Sequence, residues 1–125
     1  MILDTNGLSA VADGDLALES IFREAAEIAV AVIVLGEYLY GVRQSRDRAK
    51  YEAWLAKWIP TYRTLIVDNQ TAEQYADIRK ELKRQGRPLP ANDVWIAALA
   101  RQHSLPVLTR DQHFDFVSGL KRISW

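Results

Sequence analysis

Hydrophobic residues follow two kinds of pattern along this chain, one typical of strands and one typical of helices. Short runs rich in β-branched residues predict strands at residues 2–3, 28–32, 64–67 and 106–109, with a possible fifth at 121–124. Longer stretches with apolar residues three and four positions apart predict helices at 16–26, from the second strand to about 42, around 51–58, and at 71–86 and 91–103. Strands separated by helices indicate an α/β protein whose parallel sheet is covered on both faces.

Polar residues and glycine mark the ends of these helices. Asp13 or Asp15 is available to cap the helix over 16–26. Thr71 and Gln74 predict a capping box for the helix that stops at Gly86. These signals place the remaining residues in short connections.

The predicted sheet indicates where a ligand would bind. In open parallel sheets, ligands bind beyond the carboxyl ends of the strands, where the strand order reverses. A sheet in the order 3-2-1-4-5 has that point between strands one and four. Residues that directly follow these two strands are therefore the first candidates for chemistry.

The composition limits the possible classes of function. The 125 residues suit a single domain, 1–125, with one core. The longest apolar run, 28–35, is far shorter than the roughly 20 residues of a membrane span, and we expect no secretion leader. The absence of cysteine excludes disulfides and thiolate metal sites and fits a cytoplasmic protein. Because the formal net charge is zero, any binding of nucleic acid must come from a local site.

Two acidic residues follow the strands that flank the switch point. Asp4 comes directly after the first strand, and Asp111 follows the fourth. Each has a purely structural alternative: Asp4 would cap a turn that Thr5 and Asn6 continue, and Asp111 would cap the turn before Phe114. Asp115 is the alternative to Asp111 as the acid that follows the fourth strand.

Two further acids lie on helices that begin at the same edge. Glu37 is the only charged residue between Glu27 and Arg43, so its carboxylate needs a partner; the alternative is a bond to a backbone amide or an incoming Arg. Asp93 lies in a first helical turn, where it also suits the macrodipole, with Asn92 as a possible cap. Its helical spacing to Ile96, Ala97 and Ala100 puts it on the face that packs on the sheet.

Taken together, the four carboxylates indicate a cation site. Converging carboxylates repel one another unless a cation is present or one of them stays protonated. Oxygen ligands without cysteine favour a hard ion, Mg²⁺ or Mn²⁺. Such an ion polarises a phosphoryl oxygen and lowers the pKa of its bound water for attack on phosphorus. The sequence leaves open whether one or two ions bind.

Four stretches of the chain resemble the PIN domain, and within that family the VapC-type toxins. They are ILDTN (2–6), EYLYG (37–41), PANDVWIAA (90–98) and LTRDQHF (108–114). The likeness runs from Asp4 to Trp125 in the right order and spacing. The combined pattern is specific, whereas DTN or TRD alone would be weak.

The resemblance implies a three-layer α/β/α fold, a Mg²⁺ site and endonucleolytic cleavage of RNA. The ligands would be Asp4, Glu37, Asp93 and Asp111, with Asp4 and Asp93 first as direct ligands. The side chains that would orient them are Thr5, Asn6, Asn92 and Thr109. The family also implies a homodimer and a small cognate antitoxin that blocks the site, often by inserting an Arg.

Some features outside the acidic set bear on binding. Arg110, beside Asp111, is the first choice for a contact to an RNA phosphate. The aromatic stripe at positions 51, 54, 55 and 58 would form either a groove for an antitoxin helix or, more simply, part of the core. Two histidines without ligand spacing do not predict zinc.

Three other functions compete with an RNase. A phosphoryl-accepting signalling domain would use an Asp after strand three, and Asp68 is available, but an acidic pair after strand one and a Lys after strand five are missing. A phosphatase with an Asp nucleophile would need a second Asp where Asn6 stands. A catalytically inactive RNA-binding module of the PIN type is the third possibility, and the presence of all four acids argues against it.

Overall fold

The computed structural model describes residues 1–125 and has one central sheet of five parallel strands. The strands are β1 (Ile2–Leu3), β2 (Ala29–Ala31), β3 (Arg63–Leu65), β4 (Val107–Leu108) and β5 (Arg122–Ile123). Their order in the sheet is β3-β2-β1-β4-β5, so the predicted order is confirmed and the fifth strand exists. The reversal of strand order lies between β1 and β4, as expected.

Six α-helices flank the sheet as the outer layers of an α/β/α sandwich. They are α1 (Thr5–Ala12), α2 (Glu19–Glu24), α3 (Val32–Arg43), α4 (Arg48–Trp58), α5 (Asn69–Gln85) and α6 (Ala91–His103). Short 3₁₀ segments lie at Leu16–Leu18, Ile59–Thr61 and Gln112–Phe116. Helices α1, α3 and α4 contact one another, as do α5 and α6. No helix combines the length and the apolar character that crossing a bilayer requires.

The core lies between the sheet and these two helical layers. The strand residues Ile2, Leu3, Val107 and Leu108 are completely buried, because a parallel sheet is covered on both faces. Helices contribute the buried side chains Leu8, Val34, Ile78, Leu99 and Phe114. Full burial of each such side chain stabilises the fold by about 1.5–3 kcal/mol. The core therefore fixes the strand ends from which the functional side chains project.

Helix α1 is the largest difference from the predicted elements. The sequence predicts only a turn after Asp4, since Asn, Gly and Ser are weak helix formers. The structure has two turns of helix here, because Asp4 caps its start and Leu8 is completely buried against the core. Tertiary packing outweighs the low intrinsic propensity of residues 5–12.

Smaller differences concern element boundaries. The predicted helix over 16–26 is a 3₁₀ turn capped by Asp15, followed by the short α2. The third strand ends at residue 65 rather than 67. The capping box of α5 joins Asp68 to Thr71, not Thr71 to Gln74, although the helix ends at a left-handed Gly86 as predicted.

The aromatic stripe of α4 serves the core more than the surface. Leu55 is buried, and Tyr51 and Trp54 pack against the core while partly exposed. Among these four residues, only Trp58 is classed as exposed, with 40% of its surface open to solvent.

Candidate active site

The site begins at the adjacent carboxyl ends of β1 and β4. Leu3 pairs with Leu108, so the next residues, Asp4 and Thr109, are side by side. The Asp4 backbone N–H donates to the Leu108 carbonyl at 3.3 Å, and the Thr109 hydroxyl donates to Asp4 Oδ2 at 2.5 Å. Parallel pairing thus brings together two residues that are 105 positions apart in the chain.

Asp4 is a helix cap and a buried carboxylate at once. Its Oδ1 accepts the Gly7 backbone N–H at 2.8 Å, and its Oδ2 accepts Asn6 Nδ2 at 3.0 Å. Only 5% of the residue is exposed, and no Lys or Arg pairs with it. Burial raises the pKa of Asp4 despite the hydrogen bonds from Thr109 and Gly7, and the charge of Asp111 raises it further.

Gly7 is a residue of the site that the sequence analysis did not single out. A Cβ at this position would lie 2.7 Å from the Leu108 carbonyl oxygen and 3.4 Å from Asp4 Oδ1. The first turn of α1 therefore approaches the backbone of β4 as closely as it does only because residue 7 has no side chain. The pattern of a capping Asp followed three residues later by Gly was the signal available in the sequence.

Glu37 projects from α3 and joins two other elements of the site. Its Oε2 accepts the Thr5 hydroxyl at 2.7 Å, and its Oε1 accepts Asn92 Nδ2 at 2.5 Å. Its partners are therefore neither a backbone amide nor an Arg. Asn92 donates to Glu37 instead of capping α6, whose cap residue, Pro90, makes no side-chain bond. The carboxylate of Glu37 is exposed and held between residues that neighbour Asp4 and Asp93.

Asp93 lies in the first turn of α6 and has the most perturbed carboxyl group of the site. Its pKa is raised from 3.8 to about 6. Burial is the main cause, followed by the negative charges of Asp111, Asp4 and Glu37, while His113 opposes them. Asp111, Asp4 and Glu37 therefore lie near enough to Asp93 to raise its pKa.

Asp111, and not Asp115, is among the acids whose charge raises the pKa values of Asp4 and Asp93. Asp111 caps the 3₁₀ turn at Gln112–Phe116, and its backbone N–H donates to the Thr109 hydroxyl at 3.0 Å. Its Oδ1 contacts His113 Nδ1 at 2.7 Å. Asp115 instead accepts two bonds from Arg122, at 2.8 and 3.0 Å, which lowers its pKa. An acid neutralised in this way is unsuited to holding a cation.

The Arg110 side chain already has partners within the chain, which the sequence did not indicate. Its Nε donates to the Trp125 carbonyl at 3.3 Å, its guanidinium stacks over the Trp125 ring at 4.5 Å, and Asp15 lies 3.6 Å away. Its backbone N–H donates to Asn6 Oδ1 at 3.2 Å. More than half of the side chain, 57%, remains exposed, so a contact with phosphate stays a prediction that must compete with Asp15.

The four carboxylates fit a hard divalent cation in their chemistry. All their donors are oxygen, and none of the four is paired with Lys or Arg. The pKa values of Asp4 and Asp93 are raised, so a bound cation would relieve both burial and repulsion. As the side chains stand, no three Asp, Glu or His residues converge on one point.

The chain is similar to known proteins over most of its length. Residues 1–120 match the sequence pattern of the PIN domain. The chain belongs to the PIN domain family. Ribonuclease VapC5 of Mycobacterium tuberculosis is 33% identical over 94% of this chain and 87% of its own. Toxin FitB of Neisseria gonorrhoeae is 37% identical over 84% of this chain and 75% of its own.

Solved PIN structures superpose over nearly the whole chain. The DNA-bound VapBC complex of Salmonella typhimurium has a TM-score of 0.87 at 27% identity, covering 99% of this chain and 96% of that one. The VapBC-5 complex of M. tuberculosis has a TM-score of 0.79 at 31% identity, covering 99% and 97%. The predicted family and fold are confirmed.

Proposed function

We propose that this chain is a Mg²⁺-dependent endoribonuclease that hydrolyses phosphodiester bonds of RNA. The observation that carries the proposal is a group of four acids at the switch point of the sheet, with no Lys or Arg paired to them and the pKa of Asp93 raised to about 6. Such a group is costly to the fold unless a cation binds there. The names of the PIN relatives, several of them ribonucleases, support the same activity.

The residues of the site have distinct roles in this proposal. Asp4 and Asp93 would be direct ligands, and Glu37 and Asp111 would add charge and further oxygen ligands. Mg²⁺ usually takes one or two carboxylates and keeps several waters, and Mn²⁺ would substitute for it. When bound, the ion would polarise a phosphoryl oxygen and make a bound water more acidic.

Four neutral side chains hold the carboxylates in place. Thr109 and Asn6 donate to Asp4 Oδ2, so that oxygen cannot rotate freely. Thr5 and Asn92 do the same for the two oxygens of Glu37. Because these carboxylates are already held in position, less conformational entropy is lost when a cation or a phosphodiester binds.

We also propose that the protein is the toxin of a type II toxin–antitoxin pair. VapBC-5 of Mycobacterium tuberculosis, which superposes on the chain at 31% identity, is described as a member of the VapBC family of toxin–antitoxin systems, and the 37% identical relative FitB is named a toxin. By analogy, the partners would be a cognate antitoxin and a second copy of this chain in a homodimer. The single domain, 1–125, would act in the cytoplasm.

The structure weakens the case for a phosphoryl-accepting domain. Asp68, the residue that would accept the phosphoryl group, already accepts hydrogen bonds from the Thr71 backbone N–H at 3.0 Å, the Thr71 hydroxyl at 3.1 Å and Gln102 at 3.0 Å. It lies at the start of α5, after the edge strand β3, and is not coupled to the four acids. A catalytically inactive RNA-binding module is separated from an enzyme only by assay.

Cleavage of RNA in the presence and absence of Mg²⁺ tests the proposed function. We expect cleavage by the wild type with Mg²⁺, none in excess EDTA, and a loss of at least about 100-fold in Asp93→Asn. Mg²⁺ should also raise the melting temperature of the wild type, because ligand binding stabilises the folded state. Asp115→Asn, which changes an acid outside the group, serves as the control and should keep both effects.

Two results would defeat the proposal. Cleavage that continues in EDTA would remove the metal from the mechanism. RNA that is bound but never cleaved, with any divalent ion, would favour the inactive module. Growth arrest on expression, relieved by the neighbouring reading frame, would distinguish a toxin from a housekeeping nuclease.

A further inference from the structure

A basic surface occupies the C-terminal half of α5 and the loop after it. Its members, all exposed, form what we call the basic patch: Arg79, Lys80, Lys83, Arg84 and Arg87. None of them forms an ion pair. Glu81, the one acid among them, pairs with Arg101 on α6 at 3.0 Å and accepts Ser118 at 3.0 Å. Five of the sixteen cations of a neutral chain are thus gathered here without an ion-pair partner.

The patch surrounds an open cavity of about 570 Å³. Arg79, Lys80 and Lys83 line it on one side, and Leu89 and Val94 line it on the other. Val94 follows Asp93 in α6, so the cavity reaches the first turn of the helix that carries Asp93. Its size is within the range of sites that hold small ligands and single nucleotides.

A continuous set of contacts connects the patch with Asp111. The Arg87 guanidinium lies 4.5 Å from the centroid of the Phe116 ring. Phe116 meets the His113 ring edge-on, with 5.7 Å between the centroids. His113 in turn contacts Asp111 Oδ1 through its Nδ1, at 2.7 Å. Phe116 therefore positions Arg87 on the side of the patch that faces the site.

We propose that the basic patch binds the phosphate backbone of the RNA strand on one side of the bond to be cut, with Arg87 as the contact nearest the carboxylates. This inference rests on the proposed function. Four carboxylates repel a polyanion, so affinity for RNA must come from cations outside that group. In a chain without net positive charge, a local unpaired group of cations is what can supply it.

The surroundings of the patch favour RNA over an acidic protein partner. The large exposed hydrophobic residues that a protein interface would use lie elsewhere on the chain: Leu16, Val32, Tyr40, Trp58, Ile66 and Val67. The patch itself is basic and exposed, and surfaces that bind nucleic acid are strongly positive. Its contacts lead to the residues at which RNA would be cut.

Charge reversal on α5 tests the inference. The triple variant Lys80→Glu, Lys83→Glu, Arg84→Glu is compared with Arg23→Glu, Lys57→Glu, Lys121→Glu. The control residues are also exposed and without ion pairs, and they precede β2, β3 and β5, so they lie toward the opposite edge of the sheet. Both variants change the charge by the same amount. The probe is a fluorescent single-stranded RNA of mixed sequence, titrated in EDTA.

We expect the patch variant to raise the Kd for this RNA about tenfold or more and to lower the slope of log Kd against log salt by about 2. The control should stay within about twofold. With Mg²⁺, the patch variant should raise KM and leave kcat unchanged. A second patch variant has Gln at the three positions, which removes the charges without adding acids. If the Glu variant fails to fold, the Kd of the Gln variant for RNA tests the inference instead.

An unchanged Kd in a folded patch variant would overturn the inference, as would an equal rise in the control. Loss of binding to poly-glutamate with unchanged affinity for RNA would assign the patch to an acidic protein and overturn it too. If the wild type cleaves RNA and the patch variant binds RNA as tightly as the wild type does, this inference fails and the proposed function stands. A wild type that neither binds nor cleaves RNA would defeat the proposed function with it.

Discussion

Asp4 and Asp68 occupy locally similar positions and have opposite electrostatics. Each follows a strand, caps a helix, and accepts the backbone N–H of the third helical residue, Gly7 or Thr71. Each also accepts a Thr hydroxyl, from Thr109 or Thr71. Yet the pKa of Asp4 is raised by burial, whereas that of Asp68 is lowered, mainly by the bond from the Thr71 backbone.

The difference comes from the position of the two strands in the sheet. β1 lies at the centre, between β2 and β4, so Asp4 is enclosed by neighbouring elements and faces other acids. β3 is an edge strand, and Asp68, three residues beyond it, is exposed. A capping Asp therefore becomes a candidate metal ligand only where the sheet buries it among other carboxylates.

The largest expected contrast is in cleavage activity. Asp4→Asn should reduce Mg²⁺-dependent RNA cleavage by at least about 100-fold, because it removes a direct ligand. Asp68→Asn should stay within about twofold of the wild type. Asn caps helices about as well as Asp, so both variants should fold. Initial rates with saturating Mg²⁺ measure the effect, and equal losses in the two variants would contradict the distinction drawn here.

The next contrast concerns Gly7, whose backbone N–H donates to the Asp4 cap, and a helical glycine outside the site. Gly7→Ala should lower the free energy of unfolding by about 1–3 kcal/mol, because its Cβ would meet the Leu108 carbonyl oxygen at 2.7 Å. Gly36→Ala, on α3, is the control: nothing lies within 4 Å of its Cβ, and Ala should stabilise the helix by about 0.5–1 kcal/mol. Denaturant titration measures both. A neutral Gly7→Ala would show that α1 does not need its close approach to β4.

The smallest contrast is in the dependence of stability on pH, in metal-free buffer. The folded-state pKa of Asp93 is about 6, above its ordinary 3.8, so ionisation is less favourable in the folded protein. The free energy of unfolding should therefore fall as the pH rises from about 4 to 6. Asp93→Asn should be more stable than the wild type at pH 7 by about 1–2 kcal/mol, allowing for solvent around the half-buried carboxyl, and no more stable at pH 3.

Asp68→Asn should behave in the opposite way. Its pKa is lowered on folding, so its charge stabilises the protein at pH 7, and that contribution is lost as the pH falls through the folded-state pKa. The variant should be less stable than the wild type at pH 7 and equal to it in strong acid. Identical pH profiles for the Asp93 and Asp68 variants would disprove the electrostatic difference between the two regions.

Much of the fold could be predicted because the alternation of strands and helices is strong. The β-branched runs around residues 30 and 107 are too short and too apolar for surface helices, and the strand order follows from the crossovers. Helix α1 could not be predicted in the same way. Its residues are poor helix formers, and its stability comes from Leu8 in the core and from Gly7 against β4.

The sequence names candidate acids for the site but does not show the contacts that they make. Asp4, Glu37, Asp93 and Asp111 are visible as acids at strand ends and on apolar helices. That Asn92 would donate to Glu37 rather than cap α6, and that Asp115 would be neutralised by Arg122, depends on side chains from different elements. Contacts between side chains of different elements cannot be predicted from the local sequence.

The sequence by itself determined the alternation of elements and hence the edge of the sheet where the acids gather. That information is local, because periodicity and capping depend on residues a few positions apart. Only the tertiary structure decided which acids are buried and unpaired, which are neutralised, and where cations without ion-pair partners lie. Burial and Coulomb interactions act through space, between residues as far apart in the chain as Asp4 and Thr109, so they exist only once the sheet has formed.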